Sequence, residues 1–164
     1  ITSDTAKAVI RTAGLRKKYV SVDPKIGNFQ LYKHASLITP NLMEASQGSG
    51  IEITDEKSLL KAGKILMSRL SCRSVLITRG EEGMSLFEKD RVVHIPTVAR
   101  HVYDVTGAGD TVIAAFTLSH ASGATPEQAA VISNHAAGIV VAEVGTAVPT
   151  PKKLLESLNK GSKE

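Results

Sequence analysis

The segment 104–110, with the sequence DVTGAGD, combines residue types that could bind an anion and move a proton. Glycine has no Cβ, so the backbone N–H groups around Gly107 and Gly109 can approach a bound anion closely. An apolar helix is expected directly after the segment, and the partial positive charge at its N-terminus would strengthen the attraction. Asp110 then lies in the first helical turn, where its carboxylate can accept a proton from a hydroxyl that attacks a bound phosphate.

Two other glycine-rich anion sites do not match this segment. A P-loop needs a Lys-Ser or Lys-Thr pair after its second glycine, and a dinucleotide-binding turn needs Gly or Ala at position 112, which is Val112 here. Two interpretations remain open from the residues alone. The segment is either an ordinary turn from a strand into a helix or a two-glycine phosphate site with its own acid.

Asn41 and Glu44 form a second polar group, one helical turn apart at the start of a predicted helix. Side chains at this spacing leave the same face of a helix. Mg²⁺ prefers oxygen ligands and keeps most of its waters, so one amide and one carboxylate are sufficient to hold it. The alternative is a helix-capping Asn beside a solvated Glu.

Two further polar segments follow predicted strands. Thr78 to Gly83 comes after a buried strand, where ligands gather in open α/β sheets, although a plain entry into a hairpin would give the same pattern. Asp23 and Lys25 follow an earlier strand, and they could simply form an exposed ion pair that contributes little to stability.

Helix and strand patterns alternate along the chain and predict an α/β fold with a largely parallel sheet. Strands are predicted at 19–22, 36–39 and 74–78, followed by a β-hairpin formed by 84–88 and 91–95. The first helix is predicted to begin with Ser3 as its N-cap and to end at Gly14. Further helices are predicted after Pro40, over 55–70 with Thr54 as N-cap, over 109–121, over 125–143 with a Thr125 capping box, and from Pro151. The helix over 109–121 is apolar on almost every side and is therefore predicted to be buried.

The composition narrows the class of protein. With 164 residues and 42% hydrophobic content, the chain can bury a core and is most simply a single domain over 1–164. A net charge of +4 without basic blocks or interleaved aromatic residues argues against a nucleic-acid partner. No membrane span or signal peptide is recognisable, and the single Cys72 suits a buried apolar position in a cytoplasmic protein. The first residue is Ile rather than Met, which suggests a segment of a longer protein.

The segment 104–111 closely resembles the C-terminal signature of the ribokinase-like (PfkB-type) sugar kinases, and its continuation through 112–114 looks like the heptose-7-phosphate kinase branch. The segments 134–141 and 144–146 resemble the same branch. The resemblance extends over essentially the whole chain, which corresponds to the C-terminal, ATP-binding and catalytic portion of such a kinase. It implies a ribokinase-like three-layer α/β/α fold and an N-terminal sugar-binding and lid portion outside this sequence.

The same resemblance implies a role for each candidate residue in binding ATP, Mg²⁺ and a monovalent cation. Asp110 corresponds to the catalytic base, and the amides of Gly107, Ala108 and Gly109 correspond to the anion hole. The other implied contacts are Asn41, Leu42, Met43 and Glu44 with ATP and its Mg²⁺, mainly through water; Thr78, Gly80, Gly83 and Thr106 with the nucleotide phosphates and ribose; Asn134 near the base; Lys25 near the phosphates; and Asp104 with K⁺.

The expected reaction is the ATP-dependent phosphorylation of D-glycero-β-D-manno-heptose 7-phosphate to the 1,7-bisphosphate, in the formation of ADP-heptose for the lipopolysaccharide core. A ribokinase-like kinase of another sugar or nucleoside is the alternative, and so is a nucleotide-binding fragment without catalysis. The resemblance further implies a cytoplasmic homodimer of the full-length protein. The 164-residue piece is expected to bind nucleotide weakly and to turn over no sugar, because most sugar-binding residues lie outside it.

Overall fold

A computed structural model of the chain describes residues 2–99 and 101–161, which form two compact units. The first unit contains Ile1–Arg79 and Ser85–Val93, and the second contains Gly80–Met84 and His94–Glu164. The single domain over 1–164 therefore stays a prediction, and each unit is described by itself.

The described elements are five strands, six α-helices and two short 3₁₀ helices. In chain order they are α1 (Ser3–Leu15), β1 (Ser21–Val22), a 3₁₀ helix (Phe29–Tyr32), β2 (Leu37–Ile38), α2 (Leu42–Ser49), α3 (Glu56–Leu70), β3 (Ser74–Thr78), a 3₁₀ helix (Gly80–Glu82), β4 (Met84–Phe87), β5 (Val92–Ile95), α4 (Ala108–Ala121), α5 (Pro126–Val141) and α6 (Pro151–Gly161). All predicted helices and strands are present, with shorter first and second strands than expected.

The five strands form one sheet in the order β1-β2-β3-β4-β5. The first three are parallel, with Ser21 opposite Leu37 and Leu37 opposite Ser74. Residues 74–77 of β3 are completely buried, as expected for a central parallel strand with an apolar sequence. The four-residue link between β4 and β5 is closed by a hydrogen bond from the Glu88 N–H to the Arg91 carbonyl at 2.9 Å, which confirms the predicted hairpin.

The core of the first unit packs α1, α2 and α3 against the sheet through a continuous cluster of buried apolar side chains. Two aromatic rings in it lie directly over glycines. A Cβ on Gly48 would be 2.6 Å from the Phe29 ring, and a Cβ on Gly63 would collide with the Phe87 ring. Cys72 also belongs to this cluster, and burial raises the pKa of its thiol to about 11, so it behaves as the predicted small apolar residue.

The second unit is built on the packing of α4 against α5. The small residues of α5 make this approach possible, because Ala129, Ala130, Ala136 and Ala137 are buried and occupy little volume. The prediction that α4 is buried on all sides is wrong. Val112 and Phe116 are buried, but Leu118 is 71% exposed, because α4 packs through one face only in the described part of the chain.

Two of the predicted helix caps are displaced by one residue. Thr2 rather than Ser3 caps α1, because the Thr2 side chain accepts the Thr5 N–H. Asp55 rather than Thr54 caps α3, because its carboxylate accepts the Ser58 N–H at 2.7 Å and Ser58 completes a capping box. The Thr125 capping box of α5 is confirmed.

None of the helices in the described ranges is long and apolar enough to cross a bilayer.

Candidate functional site

The candidate residues fall into two groups, one in each unit. The first unit holds the group from the carboxyl ends of parallel strands, Lys25, Asn41, Leu42, Met43, Glu44 and Thr78. The second unit holds the glycine-rich group, Gly80, Gly83, Asp104, Thr106, Gly107, Ala108, Gly109, Asp110 and Asn134.

Asn41 and Thr78 are brought together at the carboxyl edge of the sheet. They form an isolated parallel β-bridge, and the Thr78 N–H donates to the Pro40 carbonyl at 3.0 Å. The bridge extends the pairing of β2 and β3 beyond their last regular residues. As a result, the polar residue that ends β3 and the polar residue that begins α2 lie side by side, where open α/β sheets bind ligands.

The start of α2 is closed by a complete capping box. The Asn41 Oδ1 accepts the Glu44 N–H at 2.9 Å, and the Glu44 Oε2 accepts the Asn41 N–H at 2.9 Å. Capping by Asn41 is therefore confirmed, but the expectation of a solvated Glu44 is wrong. Its side chain is only 8% exposed, because the capping bond folds it back against the first turn of the helix.

The donor atoms at the start of α2 fit a magnesium ion held through water. Mg²⁺ takes oxygen ligands and keeps several waters, so it does not need a cage of protein carboxylates. No group of three or more His, Cys, Asp or Glu side chains able to hold a metal occurs among residues 2–99 and 101–161. Asn41 offers its amide Oδ1, which also accepts the Glu44 N–H, and Glu44 offers a carboxylate whose Oε1 takes no part in the cap.

The neighbouring candidates in the first unit differ in exposure. Leu42 packs against the apolar core, whereas the Met43 side chain is 60% exposed beside it. Lys25 follows β1 and forms the predicted ion pair with Asp23, with 2.8 Å between Nζ and Oδ2. The Lys25 side chain is mostly exposed, so this pair contributes little to the free energy of unfolding.

Gly80 and Gly83 both have a left-handed backbone, with φ of +59° and +83°. They close a tight turn in which the Gly83 N–H donates to the Gly80 carbonyl at 3.0 Å. A Cβ on Gly83 would collide with the Ile95 carbonyl oxygen and would lie 2.6 Å from the Thr97 nitrogen. The fold by itself therefore requires glycine at position 83, and a contact with nucleotide is not needed to explain it.

The start of α4 differs from the start of every other α-helix in the described ranges. The side chains of Thr2, Asn41, Asp55, Thr125 and Thr150 cap the other five. Helix α4 begins after Gly107, which has a φ of +78° and no side chain to act as a cap. The Ala108 N–H donates to the Val105 carbonyl at 3.1 Å, and no side chain caps the Gly109 and Asp110 amides, as in helix N-termini that bind anions.

The occurrence of glycine at positions 107 and 109 has a different physical explanation in each case. Gly107 is left-handed, so a residue with a Cβ would be strained there. Gly109 lies in the first helical turn without a positive φ, and a Cβ on it would meet no atom within 4 Å. The fold does not explain a glycine at position 109. A glycine at position 109 is explained if a ligand approaches the backbone closely there, because a Cβ would occupy the space of the ligand.

Asp110 is the third residue of α4 and is exposed. Its carboxylate makes no cap bond to the start of its own helix. The side chain is therefore accessible beside the uncapped amides of the same turn, which is the arrangement predicted for a base next to a bound anion.

Asp104 ties this turn to the loop after α5. Its Oδ1 accepts the Thr106 N–H at 2.9 Å, and its Oδ2 accepts the Gly145 N–H at 3.1 Å. The Thr106 hydroxyl and amide, and to a smaller degree the Gly145 amide, lower the pKa of the Asp104 carboxyl by stabilising its charged form.

The K⁺ site at Asp104 stays a prediction. A K⁺ ion is coordinated by oxygen atoms, typically carbonyls. Here, backbone N–H groups point their positive ends at both oxygens of the carboxylate. A carboxylate has about four acceptor positions, so these two bonds leave further positions on its oxygens.

Asn134 is placed by a contact that the sequence did not reveal. Its side chain is 4% exposed, and its Nδ2 donates to the Pro96 carbonyl at 2.7 Å. The predicted position near a nucleotide base stays a prediction, because this bond already gives the side chain a structural role. Thirty-eight residues separate the partners, and no periodic pattern connects them.

A cavity of about 700 Å³ in the second unit is lined by none of the candidate residues. Segment 96–99, α5 and α6 surround it, and His135 is its most buried polar side chain, at 6% exposure. The His135 Nδ1 lies 2.8 Å from the Ser157 Oγ and joins α5 to α6. Burial lowers the pKa of His135.

Residues 1–153 match the family model described as pfkB family carbohydrate kinase. Among curated relatives, the bifunctional protein HldE of Geobacter metallireducens is 48% identical over 159 residues, which is 96% of this chain and 32% of that protein. The bifunctional protein HldE of Shewanella piezotolerans is 44% identical over 167 residues, covering 97% of this chain and 35% of that protein. The chain thus spans about a third of the length of these relatives.

Solved structures of related fold match nearly the whole chain. Arabidopsis thaliana ribokinase, complexed with ribose and ATP, has a TM-score of 0.88 at 23% identity and covers 96% of this chain and 53% of its own. Escherichia coli phosphofructokinase-2, in complex with potassium, has a TM-score of 0.88 at 18% identity, covering 99% and 53%. At these identities the likeness shows the fold, which is the ribokinase-like α/β/α fold that the sequence predicted.

Proposed function

Because the chain belongs to the pfkB family of carbohydrate kinases, we propose that it forms the ATP-binding and catalytic part of an ATP-dependent sugar kinase. The single observation that carries the proposal is the start of α4. There, a left-handed Gly107 leaves the helix uncapped, Gly109 leaves open space, and Asp110 is exposed in the same turn.

In this proposal the amides of Gly107, Ala108 and Gly109 hold the negative charge of the transferred γ-phosphoryl group. Phosphoryl transfer depends mainly on positioning and charge stabilisation, and backbone N–H groups at a helix start supply both without reorganisation. Asp110 accepts the proton of the attacking sugar hydroxyl. A carboxylate of ordinary acidity is ionised at neutral pH and needs no special tuning for this role.

The remaining nucleotide contacts in the proposal are assigned from the family resemblance. When bound, Mg²⁺ neutralises charge on the triphosphate, and Asn41 and Glu44 hold it through water. The proposal assigns Leu42, Met43, Thr78, Gly80, Gly83 and Thr106 to the ATP contacts, Lys25 to the phosphates and Asn134 to the base.

For the acceptor, we propose a heptose 7-phosphate phosphorylated at its anomeric hydroxyl, on the route to ADP-heptose and the lipopolysaccharide core. The support is the resemblance of segments 104–114 and 134–146 to the heptose kinase branch, together with 44–48% identity to proteins named HldE. Since the chain is about a third of those proteins, the sugar-binding part, the cytoplasmic location and a homodimer are proposals for the full-length enzyme.

The test is Asp110→Asn in the complete enzyme, with Asp90→Asn as a control that makes the same charge change in the exposed β4–β5 turn. We expect Asp110→Asn to lower kcat on the order of 10² to 10⁴-fold with little change in ATP affinity, and the control to leave both unchanged. Steady-state kinetics with the heptose phosphate, ribose and fructose 6-phosphate give the rates and the acceptor. Near-normal turnover of Asp110→Asn would remove Asp110 as the base.

A further inference from the structure

The loops that lead into the three parallel strands of the first unit all carry exposed basic side chains. They contribute Arg16, Lys17 and Lys18 before β1, Lys33 and His34 before β2, and Arg73 before β3. No segment among them is long enough to be a basic block in the sequence. Since parallel strands begin at the same edge of a sheet, the fold places these side chains along one edge, the amino edge.

Backbone hydrogen bonds tie the three loops to one another. The Ser36 N–H donates to the Val20 carbonyl at 2.8 Å, and the Arg73 N–H donates to the Ser36 carbonyl at 3.1 Å. The second loop is therefore bonded to the first and to the third. The basic side chains share one continuous surface rather than three separate loops.

The link between β4 and β5 adds one more cation to this edge. Strand β4 neighbours β3 and follows it through a short turn, so it runs back to the edge where β3 begins. The surroundings of Tyr19 agree with this placement. Burial raises the pKa of Tyr19 to about 12, and the charges of Arg73 and Glu88 also act on it. The exposed Lys89 follows Glu88 directly and belongs to the same edge.

The amino-edge patch is defined as Arg16, Lys17, Lys18, Lys33, His34, Arg73 and Lys89. No ion pair neutralises any of these side chains in the part of the chain that the structure describes. Of the two acids in the neighbouring hairpin link, Glu88 is paired with Arg91 and Asp90 is exposed. The first unit as a whole carries fifteen Lys and Arg residues against eight Asp and Glu residues. Such an excess of one sign attracts a surface of the opposite charge.

Two side chains of the patch stand on a backbone that favours glycine. Lys17 and His34 have a φ of +53° and +68°, and Ser71, in the loop before β3, has a φ of +49°. A residue with a Cβ is strained in this left-handed region, so glycine would serve the fold better at positions 17 and 34. A contact made by these side chains with a partner would offset the strain.

An exposed aliphatic side chain adjoins the patch. Leu15 is 76% exposed and immediately precedes Arg16. Cations beside an exposed leucine suit a bilayer with anionic lipid, because the cations meet the phosphates while the leucine enters the headgroup region. Single-stranded nucleic acid is bound instead by stacking on exposed aromatic rings. The rings beside the patch do not offer this, since Tyr32 is 5% exposed and Tyr19 is half-buried.

We propose that the amino-edge patch, together with Leu15, is a peripheral binding surface for the anionic headgroups of a lipid bilayer. It lies at the edge of the sheet opposite to Asn41 and Thr78, so binding to lipid leaves the carboxyl edge of the first unit open to solutes. The attachment is electrostatic and reversible. Each cation near an anionic surface strengthens partitioning about fivefold.

The test is co-sedimentation of the complete enzyme with vesicles of phosphatidylcholine, either pure or with about 40% phosphatidylglycerol. We expect binding to the anionic vesicles only, and weaker binding at higher salt concentration because salt screens the charges. Replacing Lys17, Lys18 and Lys33 together by Gln should lower the partition coefficient on the order of 100-fold.

The matched control replaces three exposed lysines of α3, Lys57, Lys61 and Lys64, by Gln. It changes the net charge of the same unit by the same amount but leaves the amino edge intact. We expect the partition coefficient of this control to fall by less than about threefold, because charges distant from the lipid are screened. No binding to the anionic vesicles, or equal losses in the two triple variants, would overturn the proposal.

Leu15→Ser distinguishes lipid from other polyanions. It should weaken binding to the anionic vesicles about tenfold, because less apolar surface is buried, and leave the retention of the enzyme on heparin unchanged. If the enzyme binds duplex DNA more tightly than the anionic vesicles, and Leu15→Ser weakens neither, the patch is a nucleic-acid surface and the lipid proposal is wrong.

Lys17→Gly keeps the proposal testable if the triple variant does not fold. Glycine removes a cation and also relieves the left-handed backbone, so stability and binding should change in opposite directions. We expect the urea midpoint to stay the same or rise, while binding to the anionic vesicles weakens about fivefold. A lower urea midpoint with unaltered vesicle binding would show a purely structural role for Lys17 and would contradict the proposal.

Discussion

Helices α2 and α4 both carry an acid at their third residue, Glu44 in the first unit and Asp110 in the second, yet the two acids have opposite fates. Glu44 folds back onto the Asn41 N–H and is 8% exposed. Asp110 makes no such bond and is exposed. The residue in front of the helix makes the difference. Asn41 offers an oxygen that closes the helix end, and Gly107 offers none.

The fold stabilises the start of α2 with side-chain hydrogen bonds and leaves the start of α4 accessible to a ligand. A capping box satisfies amides that would otherwise need water or a ligand, and it stabilises the helix. A helix start without a cap lacks this stabilisation, and its amides can bind an anion instead. Glu44 therefore has a structural role in its capping box that Asp110 does not have.

Removing the cap of α2 should have the largest effect on stability. We expect Asn41→Ala and Glu44→Ala each to lower the free energy of unfolding by about 1–2 kcal/mol, because amides at the helix start lose their acceptor. Asp110→Ala, at the matching position of α4, should change it by less than about 0.5 kcal/mol. Urea unfolding of the three variants measures the difference. Equal losses at Glu44 and Asp110 would abolish the distinction between the two helix starts.

The two glycines before and inside α4 allow a sharper test. Gly107→Ala should cost about 1 kcal/mol, because alanine is strained at a φ of +78°. Gly109→Ala should leave stability unchanged or raise it by up to about 1 kcal/mol, because alanine favours the helix and has open space there. We nevertheless expect Gly109→Ala to weaken ATP binding in calorimetry. Full ATP affinity in that variant would leave the glycine unexplained.

Mild acid should lower the stability of the second unit through His135, and this is the smallest of the expected changes in stability. The lowered pKa of His135 means that the unfolded chain takes up this proton at higher pH than the folded chain. The contribution is therefore complete above about pH 6.5 and is lost as the pH falls below that value.

Unfolding in urea at pH 7.5 and 5.5 tests this expectation, with His135→Gln as the control. Glutamine can still bond to Ser157 but does not titrate. The charged or titratable groups around His135 are His101, Glu143, Lys153, Glu156 and Lys160, and they are the same in both proteins. If His135→Gln loses as much stability on acidification as the unmodified chain, His135 does not cause the loss.

Local chemistry made most of the fold predictable. The buried strand β3, the hairpin and the Thr125 capping box follow from patterns within a few residues, and all are present. The caps predicted at Ser3 and Thr54 were misplaced for a local reason too. In each case a neighbouring residue with an equally good acceptor caps the helix instead. The burial of α4 was misjudged because composition gives the apolar character of a helix but not how many neighbours it has.

The candidate site also has features that the local sequence predicts and features that depend on distant contacts. The helix start after the glycine-rich turn and the place of Asp110 in its first turn follow from seven consecutive residues, so the sequence predicted them. The bonds from Asp104 to Gly145 and from Asn134 to Pro96 join segments about forty residues apart. Only the folded chain brings these partners together, and neither leaves a periodic trace in the sequence.

The tight packing over Gly83 affects how mutational scans of this protein should be interpreted. Since the Ile95 carbonyl occupies the space of a Cβ, every substitution at position 83 meets the same steric barrier, whatever the ligand. Such a site would look as intolerant as a catalytic residue in a selection for activity. Position 109 has no such barrier, so intolerance there would report on binding. Abundance and activity scored in parallel would separate these two kinds of glycine.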